Sequence, residues 1–325
     1  MRALLSHVPG PPASLVVEEL AEPEAGPGEV VVDVAYAALN FLDTLIIVDR
    51  YQTKPERPFS PGAEMAGVVS AVGPEVEGLA IGDRVVAYRG SGCCRERVAV
   101  AAATVTRLPD SVSCDAAAGL VVTYGTTLYA LGGRGELKAG EVLAVLGAAG
   151  GVGQAAVEIG KRLGATVIAC ASSAEKLAVA AALGADHLVD YSREPLKDRL
   201  KALTDGAGVD VVYDPVGGVL AQEALRATGW RGRFLVVGFA GGDIPKIPLN
   251  LVLLKGCDVR GIHWGEIVRR EPETYRGTVA RLLDWIADGT LKPPRVDRVV
   301  GLDGVPAALE ALARREVAGK VLVRP

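Results

Sequence analysis

Residues 145–160 read VLGAAGGVGQAAVEIG, an apolar run followed by a glycine-rich loop and an amphipathic segment. The three spaced glycines are Gly147, Gly150 and Gly153. Glycines at this spacing permit a tight turn after a strand, let the backbone approach a pyrophosphate and allow the next helix to pack closely. The stretch therefore predicts a strand–loop–helix unit that binds a dinucleotide. The loop residues predicted to contact it are Gly147, Gly150, Gly151, Val152 and Gly153.

Downstream of the loop, strand and helix patterns alternate. TVIACA at 166–171, DHLVDY at 186–191, VDVVYDPV at 209–216 and GRFLVVGFA at 232–240 predict strands, and SAEKLAVAAALGA at 173–185 predicts a helix. Such alternation is typical of a parallel sheet with right-handed crossover helices. This part of the chain is therefore predicted to be a doubly wound α/β domain.

The first 120 residues differ, because short β-prone runs are separated by Gly and Pro. The clearest runs are EVVVDVAYAAL at 29–39, DRVVAYR at 83–89 and RVAVAAATVTRL at 97–108. They predict an all-β sandwich or distorted barrel. Near the C-terminus an amphipathic helix over 274–288 precedes a closing strand in GKVLVRP at 319–325.

Composition restricts the class of function. The 325 residues carry a formal net charge of −4, which provides no basic surface for nucleic acid. The N-terminus lacks an apolar signal segment, and no uncharged apolar run reaches the ~18 residues that a membrane span needs. The five cysteines are odd in number and show no disulfide spacing. We expect a reduced cytoplasmic protein without nucleic-acid or membrane partners.

The choice of dinucleotide depends on the end of the second strand. An NAD site places Asp or Glu there to bind the ribose 2′-hydroxyl. Here Ser172 and Ser173 follow the strand, Lys176 lies one turn into the helix, and Tyr191 ends the third strand. Two hydroxyls, a cation and a phenol suit a 2′-phosphate, so NADPH is predicted. The alternative is that Ser173 only caps the helix and Lys176 is only a surface residue.

Motifs across nearly the whole chain resemble the medium-chain dehydrogenase/reductase superfamily. They are PGAEMAGVVSAVG at 61–73, GDRV at 82–85, VDVVYDPVGG at 209–218 and GKVLV at 319–323. NFLDT at 40–44, followed by Tyr51, resembles the zinc-free, zeta-crystallin-like quinone oxidoreductase branch. The resemblance implies a Rossmann doubly wound sheet inserted in a GroES-like β-rich catalytic domain. The implied domains are 1–120, 121–258 and 259–325, the last returning to the catalytic domain.

The resemblance also indicates that no zinc is bound. Zinc alcohol dehydrogenases carry a cysteine where this chain has Asn40, a histidine where it has Ala63 and a further ligand near Leu120. Their four-cysteine structural lobe has no counterpart, and the three histidines share no ligand pattern. Without a Lewis acid, an acceptor that delocalises the hydride charge itself is favoured, such as a quinone or a conjugated enone.

The resemblance implies roles for three residues around the acceptor. Asn40 would donate a hydrogen bond to the carbonyl oxygen, and Tyr51 would donate a hydrogen bond or a proton. Asp43 would orient a neighbour or only cap a turn. Leu45 stands where many relatives have a tyrosine, which indicates a more apolar wall.

Two further groups complete the implied cofactor site. Thr123 and Thr127 would contact the nicotinamide or its ribose, unless they serve only as helix N-terminal residues. Gly238, Phe239 and Ala240 end the fifth strand, where backbone groups would contact the carboxamide.

These features predict an NADPH-dependent quinone reductase. The alternatives are an NADPH-dependent reductase of enones or 2-enoyl thioesters, a non-catalytic NADPH-binding protein with a structural or regulatory role, and, less favoured, a zinc alcohol dehydrogenase. The family further implies a homodimer, for which GCDVRGIHW at 256–264 is the candidate edge strand.

Overall fold

The computed structural model describes residues 1–325, which divide into two units. The first unit comprises Met1–Gly125 and Gly265–Pro325, and the second comprises Thr126–Trp264. The units divide after residues 125 and 264, whereas the resemblance places the domain boundaries after residues 120 and 258.

The strands are β1 (Arg2–Leu5), β2 (Val16–Glu19), β3 (Glu29–Leu39), β4 (Glu64–Val72), β5 (Arg84–Tyr88), β6 (Arg97–Ala101), β7 (Val105–Arg107), β8 (Val142–Leu146), β9 (Thr166–Ala171), β10 (His187–Asp190), β11 (Val209–Asp214), β12 (Thr228–Val236), β13 (Asp258–Gly261), β14 (Val296–Val300) and β15 (Lys320–Val323). The α-helices are α1 (Phe41–Ile46), α2 (Cys114–Ala117), α3 (Leu120–Leu128), α4 (Gly151–Arg162), α5 (Ala174–Ala182), α6 (Leu196–Ala202), α7 (Gly218–Ala227), α8 (Leu249–Lys255), α9 (Trp264–Arg270), α10 (Pro272–Ala287) and α11 (Val305–Ala313).

The second unit contains a six-stranded sheet in the order β10-β9-β8-β11-β12-β13, and all its pairings are parallel. This is the strand order of the doubly wound dinucleotide-binding fold, whose ligands bind beyond the carboxyl ends of the strands near β8. Buried side chains such as Leu146, Ile168, Val212 and Phe234 form its core. The predicted parallel α/β domain is confirmed.

The first unit contains a seven-stranded sheet, with β3 paired to β4, β6 and β15. The β3–β4 pairing shifts register twice, between Val31 and Val32 and between Val34 and Tyr36. Such irregularities bend a strand and increase its twist. The antiparallel β15–β3 pairing joins the C-terminal segment to the N-terminal strands. The predicted β-rich domain is therefore confirmed as well.

The run 97–108 forms two strands rather than one. Ala101–Ala103 bring no β-branched side chain to hold an extended backbone, and a 3₁₀ turn forms at Ala102–Thr104. The Thr104 hydroxyl donates to the Ala101 carbonyl oxygen at 2.9 Å and stabilises the turn. As a result β6 pairs with β3, whereas β7 pairs with β5.

None of the helices combines the length and apolar character that crossing a bilayer requires.

Candidate active site and cofactor-binding loop

The glycine loop connects β8 to α4 and has the shape its glycines predict. Gly147 adopts φ +60°, which lies in the left-handed region. A Cβ on Gly153 would lie 2.2 Å from the Gly147 carbonyl oxygen, so only glycine allows this approach. Gly150 precedes the first residue of α4. The loop therefore turns sharply and leads directly into the helix.

The start of α4 supplies the groups that bind an anion. The first-turn N–H groups of Gly151, Val152 and Gly153 have no carbonyl partner within the helix, because no preceding helical turn exists. These N–H groups and the helix dipole favour a phosphate. The Gln154 side chain donates from Nε2 to the Ala149 carbonyl oxygen at 2.7 Å, which braces the loop. The loop thus fits a dinucleotide pyrophosphate.

Thr127 lies beneath this loop. Its hydroxyl oxygen is 2.8 Å from the Tyr213 hydroxyl and 3.4 Å from the Val152 carbonyl oxygen, and both Thr127 and Tyr213 are fully buried. The structure therefore places Thr127 where it supports the loop from below. Thr123 lies one turn earlier in α3, and its hydroxyl donates to the Gly119 carbonyl oxygen at 3.0 Å.

The residues predicted to recognise the 2′-phosphate lie together beyond β9. Lys176 Nζ donates to the Ser172 hydroxyl at 3.3 Å, and Ser173 caps α5 by accepting from the Lys176 N–H. The Tyr191 N–H donates to the Ala171 carbonyl oxygen at 3.1 Å, which fixes the phenol-bearing residue beside the same strand end. Asp190, the acid closest in sequence to Tyr191, accepts from the Ser192 N–H and hydroxyl. The predicted helix cap at Ser173 is thus present, and the Lys176 and Ser172 side chains contact each other beside it.

The turn after β12 is held by the turn after β11. The Ala240 N–H donates to the Pro215 carbonyl oxygen at 3.0 Å, and the Gly238 N–H donates to the Asp214 carbonyl oxygen at 3.3 Å. A Cβ on Gly217 would lie 2.9 Å from the Phe239 ring. Gly238, Phe239 and Ala240 therefore have fixed backbone positions at the carboxyl end of the sheet.

In the first unit a buried polar cluster surrounds Asn40, which directly precedes α1. Asn40 Nδ2 donates to Glu64 Oε1 at 3.0 Å and, at the longer distance of 3.4 Å, to the Ala38 carbonyl oxygen. Lys320 Nζ donates to Asn40 Oδ1 at 2.5 Å and to Glu64 Oε1 at 2.9 Å. Glu64 Oε2 accepts from the Val122 N–H at 2.8 Å. The cluster therefore combines one amide, one carboxylate and one ammonium group.

Asp43 holds the backbone around this cluster. One carboxylate oxygen accepts from the Asn40 N–H at 2.8 Å and the other from the Gly62 N–H at 2.9 Å. The side chain is fully buried, and this desolvation raises the pKa of Asp43 to about 6 despite both hydrogen bonds. Asp43 thus orients Asn40 and the 61–63 segment through the backbone.

Tyr51 is partly buried against the first unit's core, and no group of the protein forms a hydrogen bond with its hydroxyl. Burial, with a smaller contribution from the Asp43 charge, raises the pKa of Tyr51 above its ordinary value. The phenol therefore stays protonated at neutral pH and its hydroxyl remains free to donate to a ligand.

Glu64 and Lys320 were not among the residues predicted for the site, although both lie in motifs that indicate the family. The available signal was a single charge inside an otherwise apolar strand, in GAEMAGVV at 62–69 and in KVLV at 320–323. Charged residues are almost never fully buried unless they are paired.

No group of three or more His, Cys, Asp or Glu side chains is arranged to hold a metal ion. All five cysteines are free thiols.

Two protein families and several known proteins are similar to this chain. The family described as "Alcohol dehydrogenase GroES-like domain" matches residues 26–125, and the family described as "Zinc-binding dehydrogenase" matches residues 151–286. A quinone oxidoreductase-like protein 2 homolog from Nematostella vectensis is 36% identical over 324 residues, which cover 99% of this chain and 88% of the relative.

Two solved structures are similar over the whole chain. The quinone oxidoreductase of Pseudomonas syringae pv. tomato DC3000 has a TM-score of 0.93 at 33% identity, and the alignment covers 100% of this chain and 99% of that one. The Escherichia coli quinone oxidoreductase complexed with NADPH has a TM-score of 0.93 at 29% identity, covering 100% of both chains.

A chain that combines a Rossmann unit, with an intact dinucleotide loop, and a GroES-like unit is typical of a class of nicotinamide-dependent oxidoreductases that act on small molecules. This chain belongs to the medium-chain dehydrogenase/reductase superfamily, in its zeta-crystallin-like quinone oxidoreductase branch.

Proposed function

We propose that the protein is a zinc-free, NADPH-dependent reductase of quinones. One observation carries this proposal: the Tyr51 hydroxyl is protonated and has no hydrogen-bond partner in the protein. The same unit contains the buried cluster around Asn40, which provides an ammonium group but no set of metal ligands. Such a site would donate hydrogen bonds to an oxygen that gains negative charge, and it lacks the set of side chains that would hold a Lewis acid for polarising an isolated carbonyl.

The dinucleotide is proposed to bind to the second unit. Gly151, Val152 and Gly153 would bind the pyrophosphate through their N–H groups, with Gly147 and Gly150 permitting the approach. Backbone groups of Gly238, Phe239 and Ala240 would hold the carboxamide. When bound, the nicotinamide supplies a hydride for transfer to the acceptor.

Support for NADPH over NADH comes from the end of β9. Ser172 and Lys176 already contact each other there, and Tyr191 is anchored to Ala171 beside them. The ammonium and hydroxyl groups can bind a phosphate, whereas β9 ends without the carboxylate that binds a 2′-hydroxyl. A structure of a relative with NADPH bound is consistent with this choice.

The acceptor's oxygen is proposed to lie against Tyr51 and Asn40. Tyr51 donates its free hydroxyl hydrogen. Asn40 donates the Nδ2 hydrogen that, without an acceptor, lies against the Ala38 carbonyl oxygen, with an Nδ2–O distance of 3.4 Å. A hydrogen bond this long is weak, so it is easily replaced by a shorter one to the acceptor oxygen. Asp43 is proposed to act as a positioning residue, because it is fully buried and holds Asn40 through the backbone.

We also propose a homodimer formed through the second unit's sheet. The edge strand β13 pairs only with β12. Near it in sequence, α8 packs the partly buried Leu251 and Val252 against the core but exposes Leu249, Leu253 and Leu254. Several apolar side chains of the second unit are at least 70% exposed, among them Trp230, Ile244, Leu249, Leu253 and Leu254. Exposed apolar side chains in a unit whose sheet also has an unpaired edge strand favour association with a second copy.

The test of the acceptor is turnover of NADPH with 1,4-naphthoquinone and with crotonyl-CoA under the same conditions. The proposal predicts a larger kcat/KM for the quinone. A larger kcat/KM for crotonyl-CoA would identify a 2-enoyl thioester reductase instead. Tight NADPH binding without oxidation by any quinone or enone would identify a non-catalytic protein.

A further inference from the structure

Lys320 is a lysine with only 4% of its surface exposed, in the closing strand β15. Its ammonium group donates to Glu64 Oε1 at 2.9 Å and to Asn40 Oδ1 at 2.5 Å. A buried ion pair is weak evidence of stabilisation, because well-packed apolar residues of similar volume often serve as well or better. The ammonium therefore calls for an explanation beyond the stability of the sheet.

Glu64 completes the arrangement from the opposite side of the amide. Its Oε1 accepts from both Lys320 Nζ and Asn40 Nδ2, and its Oε2 accepts from the Val122 N–H at 2.8 Å. The carboxylate is thus fixed by three donors. Lys320 and Glu64 together hold the oxygen and the nitrogen of the Asn40 amide at the same time.

This contact pattern permits only one orientation of the amide. A half-turn of the amide would place Nδ2 against the Lys320 ammonium and Oδ1 against the Glu64 carboxylate, two repulsive contacts in a buried site. In the observed orientation Glu64 binds one Nδ2 hydrogen, and the other points to the Ala38 carbonyl oxygen at 3.4 Å. That second hydrogen is the one that the proposed function assigns to the acceptor.

We propose that Lys320 is a positioning residue of the acceptor site. This inference rests on the proposed function. Lys320 acts through Asn40, because its ammonium group fixes the amide so that one Nδ2 hydrogen is presented to the acceptor oxygen. Lys320 itself does not need to touch the acceptor.

The sequence offers a direct view of this amide, because the chain contains only two asparagines, Asn40 and the exposed Asn250. In protein labelled with ¹⁵N-asparagine, each side-chain amide gives its own pair of NMR signals. We expect Lys320→Met to accelerate hydrogen exchange of the Asn40 amide by about 10-fold, as for the loss of one charge-assisted hydrogen bond, and to leave Asn250 unchanged. Lys161→Met, which removes a surface ion pair with Asp186, is the matched control and should change neither signal.

Kinetics test whether the fixed amide matters for turnover. Lys320→Met should lower kcat with 1,4-naphthoquinone by about 10-fold or more, with the NADPH Kd unchanged. If that variant folds poorly, Lys320→Met/Glu64→Gln removes both charges, while the substituted side-chain amide can still accept from Asn40, and the same loss of kcat is expected. Asn40→Ala/Lys320→Met should be no slower than Asn40→Ala, because Lys320 acts through Asn40.

Three results would overturn the proposal: an unchanged Asn40 amide in a folded Lys320 variant, an unchanged kcat, or losses that multiply in the Asn40→Ala/Lys320→Met variant. Absence of turnover by the wild-type protein with every acceptor would instead refute the proposed function. The amide exchange measurement would still decide whether Lys320 positions Asn40.

Discussion

Gly153 packs against Gly147 so closely that a Cβ on Gly153 would lie 2.2 Å from the Gly147 carbonyl oxygen. Gly150, three residues earlier, is different: a Cβ there would lie 3.4 Å from the same oxygen and meet nothing else. The two glycines therefore serve distinct purposes, one inside the protein and one toward the ligand. Alanine substitutions should separate them.

Gly153→Ala should lower the free energy of unfolding by about 1–3 kcal/mol, because the backbone must move to accommodate the methyl group. Gly150→Ala should leave stability nearly unchanged and weaken NADPH binding, because its methyl group faces the approaching pyrophosphate. Thermal unfolding and NADPH titration measure the two effects. Gly277→Ala, in α10 with open space around it, is the control and should stabilise the fold by about 0.5–1 kcal/mol. Equal losses of stability for Gly150→Ala and Gly153→Ala would contradict this division.

Lys176→Met should raise the KM for NADPH by about 10-fold or more and change the KM for NADH little, since only NADPH carries the phosphate. The measurement is steady-state turnover with each nucleotide at saturating quinone. Lys197→Met, an exposed lysine in α6, is the matched control. Equal effects of Lys176→Met on both nucleotides would remove the assignment of Lys176 to the 2′-phosphate.

The raised pKa of the buried Asp43 should make the free energy of unfolding depend on pH. Its pKa of about 6 in the folded protein lies above the ordinary 3.8, so between these values the folded state binds more protons than the unfolded state. The contribution of Asp43 to stability therefore falls as pH rises through this window, by about 3 kcal/mol for a shift of about two units. The difference in unfolding free energy between wild type and Asp43→Asn should shrink by that order between about pH 4 and pH 7. A difference independent of pH would show that Asp43 titrates normally.

Tyr51→Phe should lower kcat with quinone by about 10- to 100-fold and leave NADPH binding and stability nearly unchanged, because its hydroxyl has no partner in the protein. Tyr275→Phe is an informative contrast. The Tyr275 hydroxyl donates to the Thr104 carbonyl oxygen at 2.8 Å, so its loss should lower stability by about 1 kcal/mol and leave kcat unchanged. A Tyr51→Phe enzyme with wild-type kcat would show that another group donates to the acceptor.

Leu253→Glu should convert the proposed dimer to a monomer, because it places a charge on the exposed face of α8. Light scattering after gel filtration measures the mass. Ile81→Glu, at a similarly exposed residue of the first unit, is the control and should not change the mass. A wild-type protein that is monomeric at micromolar concentration would contradict the proposed homodimer.

Much of the fold was predictable because its signals are local. The run 145–160 contains its strand, its turn glycines and its helix in sequence order, and the structure places them accordingly. The split of 97–108 into β6 and β7 was not predictable from periodicity, since it depends on which distant strand each half pairs with.

The site was predictable only in part. Ser172, Lys176 and Tyr191 could be proposed for the cofactor because all three lie close to strand ends that the alternating pattern marks. The Lys320–Glu64 contact joins residues 256 positions apart, and only the β15–β3–β4 pairings bring them together. Thr127 was assigned to the cofactor from its place in the chain, whereas its partner Tyr213 becomes evident only in the folded sheet.

The proposed zinc-free reduction of quinones by NADPH can be tested by NADPH oxidation with 1,4-naphthoquinone, measured before and after exhaustive dialysis against a chelator. The zinc content of each sample is determined as well. A zinc-free NADPH-dependent reductase should contain less than about 0.1 zinc per chain, show the same kcat in both samples and strongly prefer NADPH over NADH. About one tightly bound zinc per chain, with activity lost on its removal and restored by its return, would contradict it.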